Sequence, residues 1–151
     1  MHNKVFVRVI RANGGPDQVM VCRNLRTDIG VNWQVNHMFS ASIEPAANLA
    51  ISSRATAPTS SDTDLMGEQG ADGLSRQTGT FSHTADQSLA TLSASWKYTG
   101  GSTLTIEKAA VATAAVDLGT SLDTHFLITA VSPIAVLDSN DTIAIDWGIN
   151  V

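Results

Sequence analysis

The sequence predicts an all-β fold, an antiparallel β-sandwich or jelly roll with one short helix. The first observation is composition: alanine, serine and threonine make up about a third of the 151 residues, and only three lysines occur. Serine and threonine suit pleated, half-exposed surfaces and turns better than helix interiors. The second is a repeated alternation of apolar and polar residues, which is typical of strands with one buried face. Several short alternating segments separated by turns favour two packed sheets.

The alternation is clearest at residues 142–151, where every second residue is apolar. Residues 92–98 alternate in the same way, and the pattern resumes at residues 104–106, after Gly100-Gly101. Two alternating segments on either side of a Gly-Gly pair predict a β-hairpin. Further strands are expected at Lys4–Ile10, 18–23, Asn48–Ser52, 74–83 and 125–130.

The first predicted strand carries apolar residues on both faces. Val5, Val7 and Val9 share one face, and Phe6 and Ile10 lie on the other. Because strands buried on both sides read as near-continuous apolar runs, we expect this strand to be covered on both sides.

One helix is expected after residue 27. Thr27 or Asp28 suits its N-cap. The apolar residues that follow have a broken helical spacing: Ile29 and Trp33, with Val31, Val35 and Met38 beside them. Residues 109–115 are mostly alanine, and their pattern fits either a helical turn or a thin strand.

The length fits one domain, so residues 1–151 are expected to form a single β-sandwich, with residues 1–23 as an N-terminal basic strand pair or arm. No segment approaches the roughly 18 apolar residues of a membrane span. The formal net charge of −5 argues against a general nucleic-acid binder, which needs a basic face. Neither a membrane nor a nucleic acid is therefore an expected partner.

Charge is divided unevenly along the chain. Residues 1–54 carry six basic and three acidic side chains, whereas residues 55–151 carry three basic and eleven acidic ones. Two interpretations stay open: surface charges cluster by chance, or a basic face docks on an acidic partner or a neighbouring subunit. The second makes arginines of the first third the candidate contact residues, namely Arg8, Arg11, Arg23 and Arg26.

Patterns of catalysis and cofactor binding do not occur, so no catalytic residue, no cofactor and no enzymatic activity are expected. The sequence contains neither a G-x-S-x-G elbow nor a Walker or dinucleotide glycine pattern. Its four histidines are scattered, without the spacing of metal ligands. Cys22 lies in an apolar strand pattern, which predicts a buried, inert thiol.

The acidic segment 62–68 places carboxylates at alternate positions, a pattern that suits calcium. The first positions of an EF-hand loop are matched, but Met66 and Gly73 stand where oxygen ligands are required. A capped turn with solvated carboxylates is therefore favoured, and no metal site is expected. A tight turn also explains the second acidic segment, residues 138–141.

Three aromatic residues, Trp96, Tyr98 and Trp147, have the ring faces that stack on sugars. Each lies at an apolar position in the alternation of its predicted strand. Side chains at these positions point into the core, so core packing is favoured over a platform that binds sugars.

A series of short motifs runs from Asn24 to the end of the chain. In order they are Asn24-Leu25, Thr27 and Gly30 before Trp33; Asn48-Leu49-Ala50-Ile51; Asp62-Thr63-Asp64-Leu65-Met66-Gly67-Glu68 after a small-residue loop; Gly73-Leu74-Ser75-Arg76; and the closing segment 140–149. This order resembles that of small structural proteins in the virions of tailed bacteriophages. Two departures are Ser52-Ser53-Arg54, where a glycine-rich turn is common, and the basic N-terminal strands, which have no counterpart.

The resemblance implies a virion structural protein without catalytic residues, above all a capsid decoration (cement) protein on the exterior of the major capsid shell. Its implied partners are the major capsid protein or another virion protein, and further copies of itself in a homotrimer or other homo-oligomer. Synthesis in the host cytoplasm is implied as well. Two alternatives stay open: a tail, neck or fibre component, and a carbohydrate-binding module for host attachment, which requires exposed aromatic rings.

Overall fold

The computed structural model describes residues 4–39, 45–114 and 125–150, which form nine strands and one helix. The N-terminal part contains β1 (Lys4–Ile10), β2 (Gln18–Arg26) and the helix α1 (Asp28–Phe39). The middle part contains β3 (Asn48–Ser52), β4 (Gln77–Thr78), β5 (Thr80–His83) and β6 (Leu89–Lys97). The C-terminal part contains β7 (Leu104–Ala112), β8 (His125–Leu137) and β9 (Thr142–Asn150).

The described strands form one antiparallel sheet in the order β4-β3-β7-β8-β2-β1-β9-β6-β5. Its two edge strands, β4 and β5, are separated in the chain by Gly79 alone. One continuous segment therefore pairs with β3 at one edge and with β6 at the other. The sheet is almost closed on itself, and the predicted all-β antiparallel, sandwich-type fold with one short helix is confirmed.

Strand β2 joins the two halves of this sheet. Its residues 18–23 pair with β1, and its residues 24–26 pair with β8. Strand β1 lies between β2 and β9, so the N-terminal strands are inner strands of the sheet rather than an edge.

The core lies inside the curved sheet and is built from alternate residues of each strand. Val5, Val7 and Val9 are fully buried, as the alternation predicts. Trp96 and Trp147 are the largest fully buried side chains, and the indole N–H of Trp96 donates to the Ser75 carbonyl oxygen at 2.7 Å.

Strand positions agree with the sequence pattern to different degrees. The bounds of β1 and β3 are those predicted, while β2 and β8 extend beyond residues 18–23 and 125–130. The predicted strand 74–83 is two short strands, β4 and β5. Residues 109–112 belong to β7, so of the two predicted alternatives, a helical turn or a thin strand, they form the strand. Residue 115 lies outside the described residues.

The predicted hairpin around Gly100-Gly101 is wrong. Strand β6 lies between β5 and β9, whereas β7 lies between β3 and β8. Tyr98 explains the difference, because its backbone bonds to Asn140 and Asp141 instead of to β7. Its hydroxyl donates to the Ser102 carbonyl oxygen at 2.6 Å. The segment after β6 therefore crosses between the two halves of the sheet instead of reversing beside β6.

The helix begins with Thr27, one of the two predicted caps. The Thr27 hydroxyl oxygen accepts a hydrogen bond from the Gly30 N–H at 2.9 Å, the usual N-cap contact. The Asp28 N–H donates to the Ser60 carbonyl oxygen at 2.7 Å, which ties the start of the helix to the loop that follows β3.

That loop covers the outer face of β3, β7 and β8. Leu65 is buried against Ala50, Ala110 and Ile128, which form a second, smaller apolar cluster. Strand β3 is consequently buried on both faces.

We predict that Gly79→Ala lowers the free energy of unfolding by about 1–3 kcal/mol, because the added methyl group would overpack the point where the sheet closes. A Cβ at this position would lie 2.6 Å from Leu92 Cδ1 and 3.2 Å from Leu49 Cδ1. Urea unfolding of both proteins measures the difference. The control is Gly70→Ala, because a Cβ there meets no heavy atom within 4 Å. Equal effects of the two substitutions would contradict a tight closure at Gly79.

Candidate docking surface

The outward-facing side chains of β1 and β2 form a surface that no other described element covers. Alternation places Val5, Val7 and Val9 inside, so the intervening residues point outward. On β2 the outward residues alternate with buried Met20 and Cys22. We call this surface the β1–β2 outer face; its members are Lys4, Phe6, Arg8, Ile10, Val19, Val21 and Arg23.

Apolar side chains occupy the middle of the β1–β2 outer face. Phe6 lies directly opposite Val21 in the strand register, and the two are 45% and 55% exposed. Val19, beside them on β2, is 66% exposed. The neighbouring β9 carries Ala144 and the exposed Asp146 at its outward positions beside β1. Contiguous exposed apolar residues of this kind mark interaction sites.

Two cations stand together at one end of the β1–β2 outer face. Lys4 and Arg23 are directly opposite each other in the register, and neither forms an ion pair within the described residues. Like charges at directly opposite positions destabilise an isolated sheet. The arrangement is thus locally unfavourable and would be relieved by an anionic group of a partner.

The remaining charges of this surface are partly compensated. Arg8 Nε and Nη2 donate to Asp17 Oδ2 at 3.0 and 2.6 Å in an exposed ion pair. The hydrogen bond from the Arg8 side chain lowers the pKa of Asp17 below its usual value. Asp146 on β9 lies opposite Phe6 in the register. The positive character is therefore concentrated at Lys4 and Arg23.

Arg11, another of the predicted contact residues, lies outside this surface, and its side chain is engaged within the chain. Its Nη1 donates to Asp141 Oδ2 at 2.6 Å and to the Val136 carbonyl oxygen at 2.8 Å. The side chains of Arg11 and Asp141 are only 15% and 2% exposed. Arg11 holds the end of β1 to the turn before β9.

The carboxylate of Asp141 accepts three hydrogen bonds at that turn. It accepts from the Ala12 and Asp138 N–H groups, at 2.9 and 3.0 Å, as well as from Arg11. Burial by itself raises the pKa of Asp141, but the two backbone hydrogen bonds and Arg11 outweigh it, so the pKa lies below its usual value. The predicted tight turn at residues 138–141 is present, with Asn140 in the left-handed region.

Arg26 lies at the far end of β2, away from the apolar residues. Its Nη1 donates to the Gln34 side-chain oxygen of α1 at 2.8 Å. Of the four predicted arginines, Arg8 and Arg23 are therefore on the β1–β2 outer face, while Arg11 and Arg26 are engaged within the chain.

The expectation that β1 is covered on both sides is wrong. Phe6 and Ile10 are exposed, and Phe6, Val19 and Val21 were not among the predicted contact residues. The alternation in the sequence contained this information, because each of these residues lies at a strand position whose side chain points away from the buried face. A strand pattern identifies two faces but does not say which of them another part of the chain covers.

The acidic segment 62–68 is a structural element of the covering loop. Asp62 accepts hydrogen bonds from the backbone and hydroxyl of Thr59. Glu68 forms a buried ion pair with Arg76, whose Nε donates to Glu68 Oε1 at 2.9 Å. These carboxylates are directed to different partners. Within residues 4–39, 45–114 and 125–150, no three His, Cys, Asp or Glu side chains are grouped so as to hold a metal ion.

Lys108 lies under the same loop and is almost completely buried. Burial lowers the pKa of its ammonium group, and the negative charges of Asp62 and Asp64 oppose this shift. The two aspartates thus compensate a buried cation of β7.

The three aromatic residues considered for sugar stacking are buried. Trp96, Tyr98 and Trp147 all belong to the main core cluster. The exposed aromatic platform that the carbohydrate-binding alternative requires is therefore contradicted for these residues. Cys22 is buried on β2, as predicted.

Comparisons with known proteins identify no relative. Neither the protein-family models, nor the curated proteins, nor the solved structures give a match to this chain. In the described part of the chain, no helix has both the length and the apolar character needed to cross a membrane.

We predict that Arg11→Ala lowers the free energy of unfolding by about 3 kcal/mol, because it leaves the buried Asp141 carboxylate without its cation. Arg8→Ala is the matched control, since it removes an arginine from the same strand region but from an exposed ion pair. Exposed pairs contribute about 0–1 kcal/mol. Chemical denaturation distinguishes the two variants. Similar losses would show that Arg11 is not the structural residue described above.

Stability is expected to fall in acid partly because of Asp141. The folded-state pKa of Asp141 lies below its unfolded value, which is about 3.9 for an aspartate. Its stabilising contribution is therefore complete above that value and is lost as the pH falls through the folded-state pKa. We expect Asp141→Asn to be less stable than the wild type at pH ~7 and to approach it in strong acid. Unfolding curves between pH ~2 and ~7 test this, and a constant difference across that range would contradict it.

Proposed function

We propose that this chain is a structural protein of a bacteriophage virion, a decoration protein that binds the outside of the major capsid shell and stabilises it. The observation that carries the proposal is the β1–β2 outer face, an uncovered apolar surface with a cationic end on a chain of net charge −5. The resemblance of residues 24–151 to virion structural proteins supplies the kind of partner.

Each part of this surface has a separate role in docking. Burial of Phe6, Val19 and Val21 contributes free energy of roughly 25 cal/mol for each Å² of apolar area removed from water. Lys4 and Arg23 set the orientation in which the chain docks, because an anionic group of the partner placed between them satisfies both cations. The expected contact on the shell is an apolar patch beside one or more carboxylates.

The position of β1 favours rigid docking. It is hydrogen-bonded to β2 on one side and to β9 on the other, so the backbone of the surface is ordered before a partner arrives. A preordered surface loses little conformational entropy on binding. A decoration protein is present in many copies, so modest contacts at each copy add to a substantial resistance of the shell to expansion.

Location within the particle is the first test. Immunogold electron microscopy of purified virions, with an antibody against this chain, is expected to label the head. Label confined to the tail or neck would reject decoration in favour of a tail or neck component. Absence of label from particles that also lack the chain in mass spectrometry would reject a virion role altogether.

We predict that Arg23→Glu reduces the occupancy of the chain on its shell by about tenfold or more, equivalent to about 1.4 kcal/mol. The substituted carboxylate would face Lys4, so the variant should remain folded while the cationic end is lost. Phe6→Ser, which removes the central apolar group, should act in the same direction. Quantitative electrophoresis of particles reconstituted with each variant gives the occupancy.

Lys97→Glu is the control for charge, because Lys97 is an exposed cation of β6 outside the β1–β2 outer face. It is expected to leave occupancy unchanged. Circular dichroism of the free variants verifies folding. Full occupancy of folded Arg23→Glu and Phe6→Ser would overturn the assignment of this surface.

A further inference from the structure

A polar cavity of about 330 Å³ lies where the segment that closes the sheet, residues 77–83, changes its partner. Thr80 and Ser93 are the last paired residues of β5 and β6, and beyond Gly79 the chain pairs with β3 instead. Residues 94–97 of β6 consequently have β9 as their strand partner on one side only. We call the gap beside them the seam cavity; its lining includes Gln77, Thr80, Ser93, Ser95, Ala144 and Asp146.

Small side chains keep the seam cavity open. Ser95 lies opposite Ala144 in the strand register, and both are too short to fill the gap beside the closing segment. The opposite wall is held in place by the backbone, because the Gly79 N–H donates to the Ala47 carbonyl oxygen at 2.8 Å. The cavity therefore follows from the topology of the sheet and is present before a ligand arrives, as in most small-molecule sites.

Most polar side chains of the seam cavity are unengaged. Thr78 is engaged, because its hydroxyl donates to the Asn48 side-chain oxygen at 2.9 Å. Within the described residues, five others form no side-chain hydrogen bond or ion pair: Gln77, Thr80, Ser93, Ser95 and Asp146. Polar groups that converge on one concave site without partners of their own are typical of a site that orients a small polar ligand.

The chemistry of the lining selects the class of ligand. Of the eight lining residues Asp146 alone is charged, so the cavity disfavours anions. An ammonium group only donates hydrogen bonds and would leave the amide N–H groups of Gln77 without an acceptor. The hydroxyl groups of a sugar both donate and accept, as do the serine and threonine hydroxyls that face them. The methyl groups of Ala94 and Ala144 are available to the apolar C–H groups of a sugar ring.

We propose that the seam cavity binds one unit of a neutral saccharide, with Asp146 as the main acceptor of hydrogen bonds from its hydroxyl groups. Gln77, Ser93 and Ser95 complete the polar contacts. The site is distinct from the buried aromatic residues of the core, and hydrogen bonding rather than ring stacking selects its ligand. The proposal does not rest on docking to a capsid shell.

The size of the seam cavity sets the length and the affinity of the ligand. Its volume lies near the lower limit of small-molecule sites, which is roughly 300 Å³, so it suits one hexose ring. A ligand with so few atoms in an open polar site is expected to bind weakly, with a Kd of about 1 mM.

Titration of the ¹⁵N-labelled full chain, followed by amide NMR spectra, tests the proposal. The probes are glucose, galactose, mannose and N-acetylglucosamine. At least one is expected to shift the signals of residues 77–80, 93–95 and 144–146, and to saturate them with a Kd of about 1 mM. The uronate of the sugar that binds best should bind at least about tenfold more weakly, because its carboxylate would face Asp146. Cyclohexylammonium tests a cationic ligand and should also bind more weakly.

Two variants of β9 test the assignment of the site. Asp146→Asn keeps the shape of the side chain and removes its charge, so we expect about three- to tenfold weaker binding of the neutral sugar and a smaller difference from the uronate. Ala144→Leu should abolish binding by filling the cavity. Thr142→Leu is its matched control, because Thr142 lies two positions away on the same face of β9 and outside the lining. The dispersion of the same spectra verifies that each variant is folded.

Methyl glycosides distinguish the two sources of such a ligand. Equal binding of the free sugar and its methyl glycoside would support recognition of the terminal unit of a glycan, and binding of the free sugar alone would support a free monosaccharide. No localised shift with any of the four sugars up to about 50 mM would overturn the proposal. Tighter binding of the uronate or of cyclohexylammonium than of every neutral sugar would overturn it as well. So would equal losses in Ala144→Leu and Thr142→Leu.

Discussion

Closure of the sheet by one short segment is the constraint on which the other features depend. Residues 77–83 form both edge strands, so the sheet bends until β3 and β6 lie on either side of this segment. Gly79 permits the approach, because any side chain there would meet Leu92 and Leu49 of the core. An antiparallel sheet closed in this way encloses its apolar side chains and leaves few unpaired backbone groups at its edges. The two fully buried tryptophans fill the space that closure creates.

Closure also decides which surfaces remain available to partners. The interior is occupied by the core, and the loop that contains Leu65 covers the outer face of β3, β7 and β8. The outward positions of β6 carry mainly serine and threonine, with the exposed Leu89 at the start of the strand. The β1–β2 outer face keeps exposed apolar residues beside the cations Lys4 and Arg23.

The residue pattern within a short stretch of sequence was sufficient to predict some elements of the fold but not others. The cap at Thr27 and the bounds of β1 follow from neighbouring residues, and both were predicted. The pairing of β6 was not, because the glycines that suggest a hairpin at Gly100 also serve a crossover between sheet halves. Arg11 was assigned to a partner because its charge is visible in the sequence, whereas its approach to Asp141, 130 positions away, exists only in the folded chain. The outward exposure of Phe6 depends likewise on what the rest of the chain covers.

Site-specific photo-crosslinking on assembled particles would test the docking surface most directly. A photoreactive amino acid in place of Val21, in the centre of the β1–β2 outer face, is compared with one in place of Ser95, which faces outward on β6. Docking through the β1–β2 outer face predicts that the residue at position 21 cross-links to the major capsid protein and that the residue at position 95 does not. Cross-links from position 95 alone, or from neither position on particles that carry the chain, would contradict the account.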